Sequence, residues 1–122
     1  MARFRISTPA RADLAAILAT SQERWGDDGR ARYAALLAAA LQAIGRDATG
    51  PMTRDRDELL PGIRSYHTRN VRKTHGVQGP VHVVFYRATG PLIEVVRVLH
   101  ERVEPAFHLN PARRSTIRRR GK

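Results

Sequence analysis

The chain has 122 residues, 42% of them hydrophobic and 27% charged, a composition suited to one modest core and unlike that of a disordered chain. Its net charge is +11, and residues 62–122 hold 13 of the 22 basic residues against 3 acids, so an anionic partner is expected, either nucleic acid or an acidic protein. With no cysteine, disulfides, thiolate catalysis and Cys-based zinc sites are excluded; with no signal-peptide core and no membrane-length apolar run, a soluble, unexported protein of the cytoplasm is expected.

Residues 3–7, RFRIS, alternate arginine with Phe4 and Ile6, the period of a strand with one buried face. Thr8 as N-cap and Pro9 at the first helical position then open a helix that Gly26 ends. Ala10, Leu14, Ile17, Leu18, Ser21 and Trp25 form its apolar stripe. After the tight connection GDDG, where Asp27 and Asp28 suit a helix N-terminus, a second helix carries Tyr33, Leu37, Ala40, Leu41 and Ile44 on one face and closes at Gly45. Residues 9–45 therefore read as an αα-hairpin.

The Gly, Pro and Asp content of residues 47–62 predicts a loop. A strand begins at IRSYH, a basic excursion occupies VRKTHGVQG, and two strands follow at 81–87 and 92–100 around the turn Ala88-Thr89-Gly90-Pro91. The predicted order is β-α-α-β-β-β, an α+β fold with the helical hairpin on one face of a mostly antiparallel four-stranded sheet. Both late strands are apolar on both faces, and the hairpin can cover only one. Either the basic C-terminal tail folds back over the other face or another protein covers it. The folded domain is expected over 1–110, with 111–122 a mobile basic tail that can contact nucleic acid nonspecifically.

The pattern TPARADLAAI…ERWG…ARYAALLAAAL, then ELLPGIRSYH, then VHVVFYRATGPLIEVVRVLHERVEPAFHL resembles the ParE branch of the RelE/ParE toxin family, from about residue 3 to residue 109. The excursion at 71–80 looks longer than the family's usual connection, and the arginine-rich tail is extra. The resemblance implies a bacterial type II toxin held inactive by an acidic cognate antitoxin encoded by the neighbouring gene, whose C-terminal segment wraps the toxin. It also implies DNA gyrase as target for the ParE branch, bound without catalysis. The RelE branch implies a different activity, metal-independent cleavage of messenger RNA in the ribosome, and a non-toxic basic nucleic-acid-binding module is a third reading. No cofactor is implied.

His100-Glu101-Arg102-Val103-Glu104 resembles the start of a zinc-protease motif, but Glu104 replaces the second histidine, and no other histidine has ligand spacing, so no metal site is expected. Arg97 interrupts an apolar strand on the expected face of Ile93, Val95 and Leu99, and needs either an internal ion pair or a partner's carboxylate. Trp25 and Tyr33, near the hairpin turn, either line an antitoxin groove or plug the hairpin core. Arg64, Tyr66, Arg87, Arg97, His100, Arg102 and Trp25 make up the expected contact set for antitoxin or target, and no catalytic residue is assigned. For the nuclease reading, Tyr66 and His100 are the groups that can move protons, with Arg64, Arg87 or Arg97 as phosphate ligands.

Overall fold

A computed structural model describes residues 2–109; the tail expected at 111–122 lies outside the described residues. The strands are β1 (Arg3–Ile6), β2 (Thr53–Asp55), β3 (Ile63–His67), β4 (His82–Thr89) and β5 (Leu92–His100), with a long helix α1 (Thr8–Arg46) and a short one, α2 (Pro105–Leu109). They form one sheet in the order β1-β5-β4-β3-β2, in which β1 runs parallel to β5 and the other pairs are antiparallel. The α+β class and the helix-on-sheet arrangement are as expected. The strand count is not, because Thr53–Asp55, read as loop, pairs with β3. A three-residue strand between Pro and Asp carries too little alternation to be seen in sequence.

α1 is two limbs joined at Gly26, whose φ of 74° and ψ of −168° are open to glycine and strained for other residues. A straight helix of 39 residues would span about 58 Å. Instead Gly45, near the far end, sits against Phe4 and Ala2, where a Cβ would come within 3.1 Å of the Phe4 ring. The chain has turned back on itself, and Gly45 acts as a point of close approach inside a helix that continues to Arg46. Arg30 Nη1 donates to Gln22 Oε1 at 2.8 Å across the turn.

The expected apolar stripes meet the sheet. Ala10, Tyr33, Leu36, Leu37, Ala40 and Ile44 pack on Tyr66, Val84, Tyr86, Ile93, Val95 and Val98. The opposite face, left open by the sequence, is covered by the chain itself: Leu59, from the segment before β3, and Leu109 of α2 bury Ile63, Phe85 and Leu99. The tail expected to fold back lies outside the described residues; the cover comes from α2 and the segment before β3, and Leu109 is only 2% exposed.

β5 changes face along its length. The ladder with β4 pairs Phe85 with Arg97 but Tyr86 with Val95, leaving Val96 as the extra residue of a bulge. Ile93 and Val95 therefore face the hairpin, while Arg97 and Leu99 face the other side, which corrects the single face expected for all four. Where β1 ends, the hairpin takes over the free edge of β5. Ser7 is the N-cap, one residue before the expected Thr8: its hydroxyl accepts the Ala10 N–H at 3.1 Å and donates to Val96 O at 2.8 Å. Six residues on, Asp13 accepts from the Val98 N–H at 3.0 Å and, bidentately, from Arg97 Nε and Nη2 at 2.7 and 2.8 Å.

With side chains only 15% and 14% exposed, Arg97 and Asp13 form a pair whose single removal strands a charge. Asp13→Ala should lower unfolding free energy by about 3 kcal/mol, since it also orphans a backbone donor. Adding Arg97→Met should cost much less than its own single effect. Urea titrations of the four proteins measure this coupling, and additive losses would show the pair to be energetically idle.

Candidate functional site

A groove of about 840 Å³ runs between the first limb of α1 and the segment 76–82. Ala16, Ile17, Thr20, Ser21, Arg24 and Trp25 form one wall, Gly76, Val77, Gln78, Gly79 and Val81 the other, and Tyr33, His82 and His100 the floor. The long basic excursion thus has a structural role: it builds a wall. It is anchored by Val71 in the core and by Val77 packed against it.

Trp25 stands at the mouth with 57% of its surface exposed. It is not the plug of the hairpin core; Tyr33, 7% exposed, fills that place. Trp25 reaches outward because Gly29 follows one turn later, where a Cβ would fall 2.3 Å from that of Trp25. The Arg24 guanidinium lies 5.9 Å from the indole centre. Neither Arg24 nor Arg32, also in the lining, has a carboxylate within 4 Å among the described residues. The groove therefore offers an apolar trough with cations at its rim.

The floor is a chain of ring contacts. The Tyr33 hydroxyl shares a hydrogen bond with His82 Nδ1, and the His82 ring meets that of His100 edge-on at 5.6 Å. His100 Nδ1 accepts the Arg102 N–H at 3.1 Å, which places the proton of the neutral ring on Nε2. Beside it, His67 Nδ1 accepts the Arg69 N–H at 3.0 Å, so Nε2 is the donor to Glu101 Oε1 at 2.6 Å. That hydrogen bond is the main reason the Glu101 carboxyl lies below its ordinary range.

Burial, with the neighbouring His100 and His67 adding to it, brings His82 down to about 4, and burial raises Tyr33 above its ordinary value. At neutral pH His82 is uncharged and Tyr33 keeps its proton. A base near 4 and an acid above 10 are poorly matched to proton transfer near pH 7. The floor is better suited to shape and hydrogen bonding than to acid–base chemistry.

Of the expected contact residues, only Trp25 and His100 line this groove. Arg102 is exposed and contributes its backbone to His100. Arg64 and Tyr66 share the hairpin-facing side of β3. Tyr66 is 3% exposed within the core, and Arg64 Nη2 donates to Thr53 Oγ1 at 2.7 Å. Arg87 lies on the opposite face, its Nε donating to Pro61 O at 3.3 Å and its Nη1 3.7 Å from Glu94. Arg97 is satisfied internally by Asp13, and its Nη1 reaches His108 O at 3.3 Å. Arg24, Arg32, His82 and the 76–81 wall were not in the expected set. The only local signal for them is the Gly-flanked apolar residue in GVQG, inside a segment read as an excursion. Among the described residues no group of three or more metal-ligating side chains occurs.

Residues 4–105 match the family described as the ParE toxin of the type II toxin-antitoxin system, parDE. The protein is 36% identical to Toxin ParE1 of Caulobacter vibrioides over 109 residues, which are 89% of this chain and 99% of that protein. It is also 36% identical to Toxin ParE1 of Mycobacterium tuberculosis over 104 residues, 84% of this chain and 92% of that one. A solved structure titled Chromosomal ParDE TA system from P. aeruginosa superposes with a TM-score of 0.62 at 17% identity, over 82% of this chain and 96% of the other. This last likeness concerns the fold.

His82 makes stability depend on pH with a definite sign. Between its ordinary 6.5 and about 4 the unfolded chain binds a proton that folded His82 does not, so stability falls as pH is lowered through that window. The loss should reach roughly 2 kcal/mol, allowing for the ring's partial exposure. Urea midpoints measured from pH 7 to 4 should fall less steeply in His82→Gln, and an unchanged slope would assign the acid sensitivity elsewhere.

Proposed function

The chain belongs to the ParE toxins of type II toxin–antitoxin systems, and from that premise we propose that it acts in the cytoplasm by binding and inhibiting DNA gyrase. A cognate antitoxin neutralises it by filling the groove beside Trp25. The exposure of Trp25 over an apolar trough is the observation that carries this reading. An exposed indole beside a deep concavity has the character of an interface anchor. The antitoxin segment that fits is apolar on the side facing Ile17, Val77 and Val81 and carries carboxylates for Arg24 and Arg32. No described helix is long and apolar enough to cross a membrane. The toxin domain is taken as 1–110, with the basic tail 111–122 outside it.

Binding without catalysis is favoured over ribosome-dependent RNA cleavage by the positions of Tyr66 and the candidate phosphate ligands. Tyr66 is buried beneath the hairpin, Arg97 is committed to Asp13, and Arg87 faces the other side of the sheet from Arg64. These groups do not converge on one phosphate. That dispersal supports a binding mechanism over general acid–base cleavage by this set.

Purified protein should inhibit gyrase supercoiling, and the antitoxin encoded beside it should restore activity at stoichiometric amounts. Translation arrest in a cell-free extract with supercoiling untouched would move the protein to the nuclease class. Trp25→Ala should weaken antitoxin binding by about 2 kcal/mol, roughly thirtyfold in Kd, mostly through faster dissociation. Tyr66→Phe and His100→Ala should leave toxicity within about twofold, since neither removes a contact that a binding mechanism needs. Abolished toxicity in folded Tyr66→Phe would point instead to proton transfer.

A further inference from the structure

We propose that the outer edge of β1 is a second contact surface, separate from the groove, that grips the phosphate backbone of duplex DNA through Arg3, Arg5 and Arg11. The three arginines, with Phe4, Ile6 and Leu92, line a shallow cleft of about 420 Å³ that shares no residue with the groove. All three are exposed. None has a carboxylate within 4 Å among the described residues. Glu94, the partner of Arg5 across the ladder, is already engaged at 3.7 Å by Arg87. The chain thus concentrates positive charge at this edge and leaves it uncompensated.

The backbone spaces two of the cations, and a hydrogen bond holds the third. Arg3 and Arg5 stand two residues apart on a strand, about 7 Å from one another on one face. Arg11 Nε donates to Ile6 O at 3.2 Å, which leaves its two terminal nitrogens directed to solvent at the edge. Fork-shaped donors fixed in this way suit phosphate oxygens. Besides arginine the lining is apolar, with no amide or carboxylate to read adenine or cytosine, and contacts from arginine to the phosphate backbone are independent of sequence. A duplex carries one charge per about 1.7 Å of axis, the densest source of phosphates available to such a row.

Edge arginines can also serve only to prevent strand pairing, and an acidic peptide could pair here as an added strand. The ladder argues against the peptide. The Arg3 and Ser7 N–H groups donate inward to Pro91 O and Val95 O at 2.8 and 3.0 Å, so in this parallel pairing Phe4 and Ile6 face outward. Ile6 O is taken by Arg11. The Phe4 N–H and C=O and the Ile6 N–H are left to pair, a single residue and one donor more, whereas all three side-chain cations remain free.

The test uses the full chain and a labelled 20-base-pair duplex of mixed sequence, with binding measured across a salt series. Arg3→Gln/Arg5→Gln/Arg11→Gln should flatten the dependence of log K on log salt by about 2 to 3, near 0.9 per lost phosphate contact, and weaken binding at least tenfold at low salt. Arg3→Lys/Arg5→Lys/Arg11→Lys, which keeps the charge, should retain the slope and shows that loss in the glutamine variant is not loss of fold. The same glutamine set placed in an Arg118→Gln/Arg119→Gln/Arg120→Gln background should give the same decrement, which separates the edge from the tail. An unchanged slope in the glutamine variant overturns the proposal. So does weakened binding to polyglutamate with duplex binding intact, which would assign the edge to an acidic protein. The inference does not depend on gyrase being the target, since neither gyrase nor antitoxin is present in the assay.

Discussion

One carboxylate fixes the relation between hairpin and sheet. Asp13 accepts three hydrogen bonds from β5, two from Arg97 and one from the Val98 backbone, at the point where β1 has ended and the strand's edge would otherwise be bare. A half-buried strand edge left in that state carries unpaired donors at a cost comparable to several lost hydrogen bonds. Ser7 serves the same edge six residues earlier, so a single helical start both caps itself and finishes the sheet. With the first limb set on β5, the groove acquires one wall and the bulge at Val96 acquires a purpose. The extra residue turns Arg97 toward Asp13 and Leu99 toward α2, while Val98 stays in the hairpin-facing core.

The same parity places the histidines. Val98 and His100 are two apart, so His100 emerges on the hairpin side beside its ladder partner His82, beneath Tyr33. Burial there keeps His82 uncharged and Tyr33 protonated at neutral pH. The positive charge of the chain is then expressed at rims and edges, where arginines meet water at little desolvation cost and act on partners at a distance. An apolar trough with a cationic margin favours a partner that brings both apolar side chains and acids.

Much of this was legible in the residues. The hairpin stripes apart from Trp25, the break at Gly26 and the pairing of β4 with β5 follow from periods and turn residues that act over a few positions; the turn is tighter than read, since Ala88 and Thr89 pair with Ile93 and Leu92. The strand Thr53–Asp55 was not visible, because its three residues hold position only by pairing with β3. Gly45 looked like a stop and is a contact, because the Phe4 ring approaches from forty-one residues away in sequence. Trp25 fitted the apolar stripe of its helix, yet the turn at Gly26 carries it out to solvent.

The sequence by itself determined the class of fold, the family resemblance and the existence of a charged second half, since each rests on composition or on patterns repeated within one element. Only the tertiary structure decided which side chains share a site. A one-residue bulge inverts every side chain beyond it, so no count along β5 could show Arg97 turning away from Ile93 and Val95 to meet Asp13, eighty-four residues earlier. The groove is of the same kind: its walls come from residues near 20 and near 78, brought together by a core between them, and local physics carries no record of that distance.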